Sequence, residues 1–164
     1  MLIQELRLIY LREIATLERE LALYPDDQSV WTVLPGLPNA GGTLFLHLAG
    51  SLQHFFGAVL GKTGYVRNRA AEFSTRDLPR ADIQEQLSQA RQAVNAAFAN
   101  IRDVDLEEPF PVVFADEPFS NRLTLLQFSS HLAYHLGQID FHRRAVTQQH
   151  TSANAIDPAG LQEG

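Results

Sequence analysis

Two histidines four residues apart are the side chains most able to do chemistry in this chain: His131 and His135, in Thr124-Leu-Leu-Gln-Phe-Ser-Ser-His131-Leu-Ala-Tyr-His135-Leu-Gly-Gln-Ile139. On a helix this spacing puts them on adjacent turns with Cβ atoms roughly 5–6 Å apart. Both rings can then converge on one ion at about 2.0–2.1 Å, the length of a zinc–nitrogen bond. A third imidazole is available from His47 on a separate apolar stretch, with His54 as the alternative to it. His54 and His142 each stand seven residues from the nearest first-choice ligand. That is roughly 10.5 Å of helical rise, too far for one mononuclear site. His142 and His150 therefore read as solvent or interface residues. The competing reading of the His131/His135 pair is two ordinary imidazoles hydrogen-bonded at the edge of a core.

Residue identity removes several other chemistries. A His-Glu-x-x-His peptidase needs a glutamate beside the first histidine, and Leu132 stands there. Di-iron bundles use Glu-x-x-His pairs, but Phe128 and Leu132 precede the two histidines by three. The chain has no cysteine, which rules out thiolate nucleophiles, disulfides and iron–sulfur ligation. A metal site here rests on histidine and oxygen ligands.

The elements that must position these groups follow from periodicity. At about 100° per residue, Leu125, Phe128, Leu132, Leu136, Ile139 and Val146 share one arc, with His131, His135 and His142 along its edge. Thr124 with Gln127 three residues on has the capping-box pattern of a helix start. A first helix is predicted from Leu2 to about Tyr24, stopped by Pro25, with Leu6, Ile9, Tyr10, Glu13, Leu17, Glu20, Leu21 and Tyr24 on one side. A second runs from Ala40 to Leu60, its start drawn toward Thr43 by the poor helix propensity of Gly41-Gly42 and its end set by Gly61. Its stripe is Leu44, Leu48, Leu52, Phe55 and Val59. A third spans about Arg80 to Ile101. Trp31, among prolines, reads as packing over an open end of the bundle.

Two connectors are long. In Gly61–Asp77, Arg67, Arg69 and Glu72 could cover the mouth of a site and bind an anionic substrate, or form an ion-pair network. In Arg102–Leu123, prolines restrict the Val112-Val113-Phe114 run to an extended crossover or a small hairpin. The result is an all-α, four-helix bundle with long connections. It forms a single domain over residues 1–150, with 151–164 a flexible tail.

With 45% hydrophobic and 20% charged residues over 164 positions, the composition is that of an ordinary globular domain. A net charge of −6 without a basic cluster argues against nucleic acid as a partner. The N-terminus lacks signal-peptide character, and no run approaches the roughly 20 apolar residues of a membrane span. A cytoplasmic location is the expectation.

Three stretches resemble the DinB-like (DNA-damage-inducible) superfamily of four-helix bundles: Leu46-His47-Leu48-Ala49-Gly50-Ser51-Leu52, Arg67-Asn-Arg-Ala-Ala-Glu-Phe73 and His131-Leu-Ala-Tyr-His135-Leu-Gly-Gln-Ile139. The resemblance implies a topology other than simple up-down-up-down. It also implies a divalent metal, nickel or zinc, held by three histidines, which here are His47, His131 and His135. Ser51 stands where the resembling subfamily usually has asparagine. Relatives of this kind include transferases and isomerases that use low-molecular-weight bacterial thiols, and many are homodimers. The expected function is accordingly a metal-dependent transferase acting with such a thiol on an electrophile, or a hydrolase using metal-activated water. A non-catalytic metal-binding or stress-response homodimer is the alternative, with Gly50, Gly57, Ala49, Ala133 and Gly137 allowing close helix approach. Tyr134, beside the histidine edge, is the candidate catalytic hydrogen-bond donor, against the reading of a buried structural tyrosine.

Overall fold

The computed structural model describes residues 2–114 and 116–162. Its elements are α1 (Leu2–Ala22), a single turn α2 (Asp27–Val30), α3 (Gly41–Leu52) running on as a π-helix (Gln53–Leu60), α4 (Arg69–Ser74), α5 (Arg80–Asn100) and α6 (Asn121–Thr147). Helix α1 packs on α5 and α6, and α3 packs on the same two. The four long helices thus stand in the cyclic order α1, α5, α3, α6. Helices α1 and α3 face each other across a diagonal, as do α5 and α6. This explains the long crossover: α6 has to start on the far side of the bundle from where α5 ends.

The core is the sum of the predicted stripes, including Leu6, Tyr10, Leu17, Leu48, Leu52, Leu87, Val94, Leu132, Leu136 and Ile139. One register differs. Phe56, not Phe55, joins the core, against Tyr10 and Phe98 at ring-centroid distances of 4.8 and 5.5 Å. The cause is the π-helical winding of Gln53–Leu60, closed by Gly61 N–H donating to Phe56 O at 2.9 Å. Wider turns rotate this segment away from α-periodicity and leave Phe55 facing outward toward α6. The 20-residue run Gly41–Leu60 is long and apolar enough to cross a membrane by length and composition, contrary to the sequence-based expectation that no run approaches that length. Two-thirds of the window (67%) is buried inside the bundle, so core packing accounts for its apolarity.

The start of α6 also differs from expectation. The cap is Ser120, whose side chain accepts from Leu123 N at 3.2 Å, and Asn121 donates to Asp105 O at 2.8 Å. Thr124 and Gln127 form no capping box, because the helix is already under way when the chain reaches them. The crossover begins with a 3-10 turn (Asp103–Glu107). It then doubles back through bridges Pro109–Ser120 and Phe114–Glu117 without a strand among the described residues.

Trp31 lies over the bundle end, its indole N–H donating to Leu78 O at 2.9 Å. His142 is no solvent or interface residue: it is 1% exposed and enclosed at the same end. The segment after His150, expected to fray, lies along α1 and α6 as far as residue 162. Arg143 donates to Thr151 O, Arg19 donates to Ala153 O, and Gly160 lies against Arg12. Those guanidinium groups need carbonyl acceptors, and the tail supplies them. Residues 163–164 of the expected tail lie outside the described residues.

Candidate metal centre

Because α3 and α6 are neighbours in the ring, His47 meets His131 and His135. One ligand atom from each lies within 4.8 Å of the others. The rings stand edge to face, with centroids 5.2 Å (His47–His131), 5.2 Å (His47–His135) and 4.6 Å (His131–His135) apart. The Nε2 atoms of His47 and His131 are 3.3 Å apart. Two tetrahedrally placed nitrogens at about 2.0–2.1 Å from one zinc ion are separated by about 3.3–3.4 Å. The closest pair is therefore already at ligand spacing.

The outer nitrogens are held from behind. His47 Nδ1 lies 3.0 Å from Glu72 Oε2, and His135 Nδ1 lies 2.6 Å from Gln138 Oε1. Since a carboxylate and an amide oxygen only accept, each Nδ1 carries the proton and each Nε2 keeps its lone pair. This is the carboxylate–histidine arrangement that orients metal ligands. Arg67 fixes Glu72 in turn, donating from Nε to Oε1 at 2.6 Å and from Nη2 to Oε2 at 2.8 Å. Burial raises the Glu72 carboxyl, but the His47 and Arg67 hydrogen bonds outweigh it and hold the group below its ordinary range. Burial foremost, then the nearby His135, His47 and Arg67, pushes His131 down to about 4. Burial lowers His135 as well. Near neutral pH these two imidazoles are unprotonated, the state metal binding requires.

Glycine makes this support possible. A Cβ on Gly50 would sit 2.3 Å from Glu72 Oε1, so only glycine at that position of α3 admits the carboxylate behind His47. Sequence reasoning assigned Gly50 to helix approach and missed this role; the signal was a glycine one turn after a candidate ligand.

The remaining candidates fall in different places. Arg67 and Glu72 pair with each other and with His47; Glu72 lies behind the histidines, outside the cleft lining, while Arg67 also lines the cleft. Arg69 does face the cleft, its guanidinium 5.0 Å from the Phe73 ring centre. Tyr134 is 64% exposed rather than a buried structural tyrosine. It lies edge-on to His135 at 5.1 Å and lines a neighbouring groove with Leu37, Leu44 and Phe141. His54, the alternative to His47, is outside the cluster. The π-helix carries it against Phe55, with Nδ1 buried and unpartnered.

The histidines form one wall of a cleft of ≈600 Å³ whose other walls are Phe55, Phe73, Phe114, Phe119 and Phe128. This aromatic lining was not anticipated, because Phe114 and Phe119 come from the irregular crossover and Phe55 is turned toward the cleft by the π-helix.

The all-α bundle with three imidazoles converging from neighbouring helices defines a class of helical proteins with a potential metal centre in the bundle. The model of the DinB superfamily matches residues 10–139, and the chain belongs to that superfamily. No curated protein and no solved structure matches it.

Proposed function

We propose that this protein is a metal-dependent enzyme that activates a low-molecular-weight thiol, or water, for attack on an electrophile bound in the aromatic cleft. The observation that supports this most is the trio of imidazole donor atoms within 4.8 Å of one another, opening onto a cleft. A divalent ion, nickel or zinc on family grounds, would keep its full charge against three neutral ligands and lower the pKa of a thiol or water brought to it. His47, His131 and His135 would hold the ion, Glu72 and Gln138 would fix two of the rings, and Arg67 would lock Glu72. The phenylalanines exclude water from the reacting groups. Without a cysteine in the chain, any activated sulfur belongs to a cosubstrate.

The test is metal analysis of protein purified without an affinity tag. Stoichiometric nickel or zinc is expected, lost in His131→Ala. A protein that takes up neither ion, with the same thermal stability in chelator, would falsify the reading. Turnover with a thiol panel then separates an enzyme from a binding protein, the rate rising with pH through the ionisation of the bound nucleophile.

Homodimer formation is a second element of the proposal. The outward face of α6 carries Leu126, Ser130, Ala133, Tyr134, Gly137 and Phe141, all exposed and none charged. Antiparallel pairing about the centre of this row would set Leu126 against Phe141 of a second copy. Sedimentation equilibrium checks it: a monomer at micromolar concentration, or a dimer unaffected by Phe141→Glu, refutes this interface.

A further inference from the structure

The cleft says more about its occupant than the metal ligands do. Its volume of ≈600 Å³ lies within the range of small-molecule sites. Phe55 and Phe128 stack at 4.3 Å, with Phe114 meeting them at 5.8 and 6.0 Å, so the wall is a continuous aromatic surface. Among the described residues, two guanidinium groups and no carboxylate line it, in a chain whose net charge is −6. Of these two cations, Arg67 is neutralised by Glu72. Arg69 has no acidic partner among the described residues and lies over the Phe73 ring, which itself packs on His47 at 5.0 Å.

We propose that the cleft takes a small aromatic monoanion: a flat apolar body between the phenylalanines and an anionic group on Arg69. This names the substrate class of the proposed metal cleft and rests on that reading for the reaction, but the recognition elements are distinct from the three histidines. A planar apolar body gains stacking against rings already aligned. A guanidinium already seated on an aromatic face loses little freedom when it accepts a carboxylate or sulfonate. A neutral analogue has no use for Arg69, and a small hydrophilic anion has no use for the phenylalanine wall.

Calorimetric titration of zinc-loaded protein with 2-naphthoate, the neutral 2-naphthalenemethanol and acetate tests it. Naphthoate should bind at least tenfold more tightly than either of the others. Arg69→Gln should erase its advantage over the alcohol, while retained alcohol binding shows that the variant is folded. Phe119→Ala should weaken both naphthyl ligands several-fold. Equal affinity for naphthoate and the alcohol, or for naphthoate and acetate, overturns the proposal. The same titrations on chelator-treated protein separate it from the metal reading. Naphthoate binding that persists there and depends on Arg69 upholds the ligand class even if metal analysis finds no ion. Binding that vanishes with the ion and ignores Arg69→Gln puts the carboxylate on the metal and overturns the Arg69 assignment, leaving the metal centre intact.

Discussion

Helix α6 carries histidines into two settings two turns apart, and only one of them is a site. At His142 every polar atom of the ring is answered. Tyr24 Oη lies 2.7 Å from Nδ1, Thr32 O lies 2.8 Å from Nε2, and the small Gly41 leaves room for both Tyr24 and the ring. At His131 and His135 the same helix face presents imidazoles with a donor atom of each within 4.8 Å of the others and of one on His47, the closest pair 3.3 Å apart. Glycine on α3 makes room in both places, for Tyr24 and His142 at one end and for Glu72 at the other. The difference lies in what remains over. The bundle end engages both ring nitrogens with Tyr24, Thr32 and Gly41, and at the metal centre the inner nitrogens face only one another. Spacing along the helix does not distinguish these cases; the count of unanswered nitrogens does.

The buried ion pair near the first setting gives the largest expected effect. Arg143 and Glu20 are both fully buried and bonded to each other, with Arg143 also reaching Asp140 and Thr151 O. Removing one partner of such a pair strands the other charge, at about 3–5 kcal/mol. Arg143→Met should lower the urea midpoint accordingly while leaving metal stoichiometry unchanged. If metal uptake fell in step, the two regions would not be separable. A smaller contrast comes from a matched pair of variants. Glu72→Gln should weaken metal affinity about 10–100-fold, as loss of an orienting partner does, with little change in the stability of metal-free protein. His142→Gln should do the reverse, lowering stability by about 1–3 kcal/mol through the orphaned Tyr24 hydroxyl and Thr32 carbonyl, with affinity retained.

The smallest effect is on pH dependence, and the regions pull in opposite directions. His131 titrates at about 4 in the folded chain against 6.5 unfolded. As pH falls through that window, the unfolded chain takes up the proton first, so stability drops. Burial raises Glu20 from 4.5 to about 7, although Arg143 pulls it back. There the folded chain holds the extra proton, and stability drops as pH rises between those values. In metal-free protein, His131→Ala should therefore flatten the rise in stability between pH 4 and 6.5, and Glu20→Gln should steepen it. Denaturation midpoints across that range decide the matter; identical slopes in both variants would contradict these assignments.

What the sequence made legible follows from periodicity. The stripes of the four long helices and the i, i+4 pair His131/His135 are written in 3.6-residue repeats, and His47 stands on a stripe of its own. The ring order of the helices is not written there, so the meeting of His47 with the pair had to await the fold. The phenylalanine wall was hidden for two reasons. Phe114 and Phe119 belong to a proline-limited crossover with no repeat to read, and π-helical winding exchanges the roles of Phe55 and Phe56. The Gly50–Glu72 contact joins residues of two elements and leaves no periodic trace.

His47 and His131 stand 84 positions apart along the chain. Any ion gripped by both would tie off a loop of more than half the polypeptide, the circumstance in which a clip restricts the unfolded chain most. In a protein without a single cysteine, such an ion would take over the fastening task of a disulfide. Chelation should then loosen the whole bundle, beyond merely silencing one corner of it.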